Sequence, residues 1–296
     1  MKNKDIFKEI SPFESVLSPL PHSIKYQIKH KLTKLINYSP TIGLMGKTGV
    51  GKSSLCNALF QSTVSPVSAV SGCTRSAQRL TLSLSGRDIT FIDFPGVGES
   101  RDYDKEYQQL YQSLLPELDF ILWILKADER AWSADEAFYQ YLVEHCHYAP
   151  ERFLFILNQA DKIEPCREWD IHQQQPSKQQ QKHLLEKICQ VQQAFNPINP
   201  VIAISANENY QLDKLAETLI QALPTKASSA IARQLKTDYC SDTVISSAKH
   251  DFGHAVGDLV EELIEILPVP KPVKQVMNHV KERLVSVAVS FWRWLF

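Results

Sequence analysis

The segment Gly46-Lys47-Thr48-Gly49-Val50-Gly51-Lys52-Ser53 constrains this chain more than any other stretch. It fits G-x-x-x-x-G-K-[ST]. The apolar run Thr41-Ile42-Gly43-Leu44-Met45 precedes it, and Ser54, Leu55, Ala58 and Leu59 follow at helical spacing. The glycines let backbone N–H groups close around phosphate oxygens where a Cβ would obstruct them. Lys52 is placed to bridge the outer phosphates and the Ser53 hydroxyl to take a place on Mg2+. A strand, loop and helix in this order belong at the carboxyl edge of a mainly parallel sheet.

The rest of the chain supplies such a sheet. Residues 89–92, 120–125, 153–157 and 201–204 are short apolar runs without polar alternation. Strands buried on both faces read this way. Leu80, Leu82 and Leu84 alternate with Thr81, Ser83 and Ser85, which predicts a half-exposed edge strand turning through Gly86. Ser133-Ala134-Asp135-Glu136 fits a capping box ahead of Phe138, Tyr141 and Leu142. Leu212, Leu215, Leu219, Ile220 and Leu223 form a second helical stripe, closed by Pro224. The Gln-rich stretch 171–193 reads as a solvated helix and loop.

Both flanks are helical. Ile24, Ile28, Leu32, Leu35 and Ile36 recur at helical spacing before the phosphate loop. Ile245, Ala248, Phe252, Ala255, Val256, Leu259, Leu263 and Ile266 recur over about six turns after it. Pro268, Pro270 and Pro272 interrupt that pattern. The expected organisation is a helical segment 1–40, a nucleotide-binding domain 41–224 and a helical region 225–296. The fold class is α/β, with an accessory helical region built from both termini.

Composition narrows the function classes. At 44% hydrophobic and 22% charged the chain is globular, and 32 basic against 33 acidic residues leave a net charge of -1. Binding to DNA through an overall basic field is not expected, and neither is sequence-specific DNA binding. No apolar run reaches the roughly 18 residues of a spanning helix, and the start of the chain lacks a signal-peptide pattern. Cysteines 56, 73, 146, 166, 189 and 240 are scattered, which fits a reducing cytoplasm better than a disulfide framework. His145-Cys146-His147 reads as ordinary helix surface, because three consecutive side chains diverge by about 100° each.

Three further motifs follow the phosphate loop, each at the end of an apolar run. Asp93-Phe94-Pro95-Gly96 offers a carboxylate for the Mg2+ shell and a Gly96 N–H for the last phosphate. Asn158-Gln159-Ala160-Asp161 offers a carboxylate that can accept both N1–H and the amino group of guanine; adenine has no matching donor pair. Ser205-Ala206-Asn207 offers the Ala206 N–H to guanine O6. Together these motifs resemble the translation-factor-related (Era-like) P-loop GTPases over residues 41–224. Residues 114–136 and Ser71-Gly72-Cys73-Thr74-Arg75 are closer to the bacterial YfjP/YeeP-type members.

The resemblance implies GTP and GDP as ligands and slow hydrolysis with Mg2+. Lys52, Thr74 and Gly96 then serve the reaction, with Ser53, Thr74 and Asp93 around the metal and Thr63 as the other candidate for the Thr74 role. Two departures bear on catalysis. Val97 stands where Ras-like members carry the glutamine that orients water. Gly49 stands where some potassium-activated relatives carry asparagine. Arg75 in cis, or a second molecule in a nucleotide-dependent homodimer, are the routes left open for the missing catalytic power.

The leading functional expectation is a cytoplasmic GTP-hydrolysing switch that signals through its helical flanks. The alternatives are a self-assembling membrane-associated GTPase of dynamin-like or immunity-related type, and a ribosome-assembly GTPase. Residues 225–296 hold nine Lys/Arg and eight Asp/Glu and no Gly-x-x-Gly clamp, which disfavours KH-type RNA binding. Gly253 and Gly257 predict close helix packing. In the tail 280–296, Leu284, Val287, Ala288, Phe291, Trp294 and Leu295 share one helical face. That face either packs against the helix around residues 24–36 or meets a membrane interface, peripheral to the inner membrane.

Overall fold

A computed structural model of the chain describes residues 10–62, 65–70, 77–84, 87–95, 109–268 and 270–296. Thr63, Thr74, Arg75, Gly96 and Val97 lie outside the described residues. The strands are β1 (Thr41–Met45), β2 (Ser65–Val70), β3 (Ala77–Leu84), β4 (Arg87–Asp93), β5 (Phe120–Lys126), β6 (Phe153–Asn158) and β7 (Ile202–Ala203). They form a seven-stranded sheet in the order β2-β3-β4-β1-β5-β6-β7. β1 pairs in parallel with both β4 and β5, and β5, β6 and β7 continue in parallel. β3 runs antiparallel to β4 and to β2. The longer helices are α1 (His22–Ile36), α2 (Lys52–Leu59), α3 (Ser133–Glu144), α4 (Lys178–Phe195), α5 (Leu212–Ala222), α6 (Thr225–Gln234), α7 (Asp242–Ile266) and α8 (Lys271–Ser290).

The continuous apolar runs become central strands because both their faces are covered. Every residue of β6 is buried, as is every residue of β5 except Lys126. Trp123 on β5 packs against Phe155 at 5.6 Å between ring centroids, with Phe138, Tyr139, Phe153 and Phe195 around it. Full burial of each such ring contributes about 1.5–3 kcal/mol.

The structure corrects two local readings. The alternating strand β3 is not at the sheet edge, because β2 covers it. β2 includes Pro66, which lacks an N–H, and its register shifts between Pro66 and Ser68. A proline and a bulge are the marks of an edge strand, and they hid this one in the sequence. The second correction concerns the capping box. Helix α3 has Trp132 as its N-cap, without a side-chain cap. Ser133 is already inside the helix, and Asp135 turns inward to other partners.

A capping box does occur in the Gln-rich stretch. Ser177 caps α4: Gln180 N–H donates to Ser177 Oγ at 3.2 Å and Ser177 N–H to Gln180 Oε1 at 3.0 Å. Gln180 is completely buried, its amide donating to the Ile163 carbonyl at 3.0 Å. Most of the surrounding glutamines are exposed, as a solvated helix requires.

The chain divides into two compact units. The nucleotide unit comprises Pro40–Leu223 and Gln234–Ser241; the helical unit comprises Met1–Ser39, Pro224–Arg233 and Asp242–Phe296. Gln234–Ser241 joins the nucleotide unit through an antiparallel bridge between Phe60 and Leu235 and a bond from Lys236 N–H to the Leu59 carbonyl at 3.0 Å. In the helical unit, α7 packs against both α1 and α8. Helix α8 also meets the short turns at residues 11–17.

The tail face differs from the expected one. Leu284, Ala288 and Leu295 are buried, but Phe291 and Trp294 are exposed and Trp292 is buried. Helix α8 ends at Ser290 and a new turn, Trp292–Leu295, begins after Phe291. That break resets the register, so the Trp292 indole turns in and donates to Ser229 Oγ at 2.8 Å. Among the described residues, no helix is long and apolar enough to cross a membrane.

Candidate functional site: a phosphate loop and a base pocket at the strand ends

β1 ends at Met45, and the next residues must turn sharply into helix α2. Glycine makes this turn possible. Gly46 has φ 134°, and a Cβ there would stand 2.2 Å from the Ile124 carbonyl oxygen of β5. Gly51 has φ 94°, with Asn158 Nδ2 at 2.5 Å from the same imagined atom. The loop therefore lies directly against its neighbours.

Lys52 folds back over the loop. Its ammonium donates to the Gly46 carbonyl at 2.7 Å and lies 3.5 Å from Asp93 Oδ1 at the end of β4. Among the described residues, Asp93 Oδ1 is buried without a hydrogen-bond partner. Burial lifts the Asp93 pKa above the ordinary carboxylate value, and Lys52 opposes that rise. Behind it, burial and the nearby Asp93 charge push the Cys56 thiol up to about 12, so it stays protonated. Ser53 is exposed at the first turn of α2. A hydroxyl and an under-coordinated carboxylate are hard oxygen donors, a set that suits Mg2+.

The base side is built from the ends of β6 and β7. Asn158 does not point into open space: its Nδ2 donates to the Val50 carbonyl at 2.8 Å, and its Oδ1 accepts Ala206 N–H at 3.1 Å. Gln159, in the left-handed region at φ 63°, donates from Nε2 to the Gly49 carbonyl at 2.8 Å. These two amides tie the base motif to the tip of the phosphate loop. Asp161 accepts the Ser205 hydroxyl at 2.5 Å, and Glu208 N–H donates to the same Ser205 oxygen at 3.2 Å. The Ala206 N–H, expected to meet guanine, is engaged with Asn158; Asn207 is exposed beside it.

The structure thus brings Lys52, Ser53 and Asp93 to one end of the site, and Asp161, Ser205, Ala206 and Asn207 to the other. Thr48 and Gly49 are exposed, Val50 is buried, and Ser54 is exposed on the first turn of α2. Lys47 extends away from Lys52 toward the loop after β5. There its ammonium pairs with Glu129 and lies 3.4 Å from Asp135. Sequence reading missed Glu129 and took Asp135 for a cap residue. No motif marks them, because the contact is made across more than 80 residues of chain.

A glycine-rich loop between a parallel strand and a helix, with a carboxylate at the next strand and an Asn-x-x-Asp sequence at a third, defines a P-loop GTPase. Residues 41–159 match the family described as 50S ribosome-binding GTPase. Over its whole length the chain is 39% identical to YfjP of Escherichia coli strain K12, covering 100% of both chains. It is also 39% identical to YkfA of the same organism, covering 97% of this chain and 98% of that one. The crystal structure of a point variant of Aquifex aeolicus Era bound to GDP.AlF4- is 27% identical, with a TM-score of 0.44, covering 62% of this chain and 56% of Era. The chain belongs to the Era-related P-loop GTPases, in the group that contains YfjP and YkfA.

Proposed function

We propose that the protein is a guanine-nucleotide switch that binds GTP with Mg2+, hydrolyses it slowly and reports the nucleotide state through its helical unit. The placement of Asp161 supports the guanine reading best. Its carboxylate, oriented by Ser205, sits at the far end of the site from Lys52, where N1–H and the exocyclic amino group of guanine can both donate to it. Lys52 would leave the Gly46 carbonyl for the phosphate oxygens, exchanging a neutral acceptor for a charged one. Ser53 and Asp93 would hold Mg2+, with Thr74 joining them in the triphosphate state; the ion would supply positive charge to offset that of the phosphates. Gly96 N–H would face that phosphate.

Slow turnover follows from Val97, which cannot hydrogen-bond to the attacking water. Arg75 or a second copy of the chain would supply the missing charge stabilisation. The family description raises a ribosomal target, but the near-balanced charge of 225–296 gives little attraction to RNA phosphates.

Competition titration tests the guanine assignment. GTP and GDP should displace a fluorescent guanine nucleotide while ATP does not, and Asp161→Asn should shift preference toward xanthine nucleotides. Equal displacement by ATP would sink the reading.

A further inference from the structure

Lys47, Glu129 of the loop after β5 and the buried Asp135 on the first turn of α3 form a charge cluster that nucleotide contact does not account for. Asp135 is completely buried. Its Oδ1 accepts the Trp123 indole N–H at 3.1 Å; among the described residues its Oδ2 has no hydrogen-bond partner, and it faces the Lys47 ammonium at 3.4 Å. That ammonium also pairs with Glu129 and donates to the Ala131 carbonyl at 3.4 Å. The same loop is held from α4, where Lys187 donates to the Glu129 carbonyl at 2.8 Å and lies 5.0 Å over the Trp132 ring.

A buried carboxylate oxygen without a hydrogen bond is costly, and an apolar side chain of similar size would avoid that cost. Lys47 is the second residue of the phosphate loop, directly after Gly46, whose backbone is in a conformation few residues adopt. A glycine-rich loop is free to take many shapes, and most of them cannot cradle a phosphate. The cluster removes that freedom from one side, as Asn158 and Gln159 do from the other. Burial alone would lower the Lys47 pKa, but Glu129 and Asp135 outweigh it and the group stays charged.

We propose that Asp135 is a positioning residue for the nucleotide site: acting through Lys47, it fixes the first half of the phosphate loop in its binding shape before nucleotide arrives. The idea rests on the GTP-binding reading. Preforming the loop spares the ordering cost of binding, and holding it in that shape opposes the opening through which bound nucleotide leaves.

The test uses the full chain and measures release of a fluorescent GDP analogue alongside thermal melting. Lys47→Met alone leaves the carboxylate unpaired and is expected to fold poorly. The double variant Lys47→Met/Asp135→Asn removes both charges at nearly constant volume. It should melt within a few degrees of the wild type yet release nucleotide about tenfold faster, the scale of coupling seen between contacting residues. Asp135→Asn alone should move release in the same direction by less. A purely structural pair would restore the wild-type release rate together with the melting temperature, and release within about twofold of wild type in the double variant overturns the proposal. If Asp161→Asn abolishes guanine binding while the double variant stays at the wild-type rate, the positioning role falls and the GTP reading stands. A wild-type protein that holds no guanine nucleotide removes both.

Discussion

Glycine occurs at close contacts in both the nucleotide unit and the helical unit, for different reasons. In the phosphate loop, Gly46 and Gly51 have positive φ, and the atoms a Cβ would strike are a strand carbonyl and the amide of Asn158. In helix α7, Gly253 and Gly257 are ordinary helical residues, and the nearest obstacles are methyl groups of Val289 and Val285. A carbonyl in a central strand cannot move without breaking the sheet, whereas two helices in side-chain contact can shift apart slightly with their hydrogen bonds intact. The nucleotide unit is specified by backbone conformation and fixed polar contacts; the helical unit is specified by apolar fit.

Gly46→Ala should break the first kind of specification with the largest effect. Strain at φ 134° and a 2.2 Å approach to the Ile124 carbonyl oxygen should together cost roughly 2–6 kcal/mol. Denaturant melts should show it, and nucleotide binding should be lost. Lys52→Ala comes next. It removes a charge-assisted contact and should weaken GTP binding by about 1.5–3 kcal/mol, as calorimetry would show. If Lys52→Ala bound GTP like the wild type, the ammonium would not serve the phosphates.

A smaller effect is expected from pH. Burial holds the Asp93 pKa above its ordinary value of 3.8 despite Lys52, so the folded chain retains a proton that the unfolded chain releases. The stability this contributes is complete below 3.8 and is lost as pH rises through the folded value. Asp93→Asn should flatten that part of the stability–pH curve in nucleotide-free protein; an unchanged slope would contradict the assignment. The smallest change probes the helical unit. A Cβ at Gly257 would sit 3.5 Å from Val285 Cγ2, an ordinary contact, so Gly257→Ala should raise stability by about 0.5–1 kcal/mol through helix propensity alone. A drop in melting temperature would show that the helices there pack more tightly than this distance implies.

The same division explains what the sequence disclosed. The motifs that hold Lys52, Asp93, Asn158, Asp161 and Ser205 were legible because each follows the end of a strand and its residue types suit phosphate or guanine chemistry. The central strands were legible because burial on both faces leaves no polar alternation. What pattern reading missed has a separate cause in each case. Asp135 suits a capping box by spacing, but the Trp123 indole and Lys47 draw it inward. Ser177 and Gln180 make a true box inside a stretch whose composition suggested only solvent. Trp292 rather than Trp294 is buried because a break after Ser290 cannot be read from periodicity that continues across it.

The make-up of the helical unit has a consequence for the newly made chain. Its turns at residues 11–17 pack against α8, so partners are separated by roughly 250 residues of intervening chain, far beyond the separations typical of fast-folding helical proteins. At about 5–20 residues per second, ribosomal synthesis keeps the first segment waiting for its partner for on the order of ten seconds or more. During that interval the apolar faces of Phe13, Leu17, Ile24 and Ile28 lack the later helices that bury them in the finished protein. The sheet through β7 emerges before α6, α7 and α8, and the helical unit can close only when those later helices have left the ribosome.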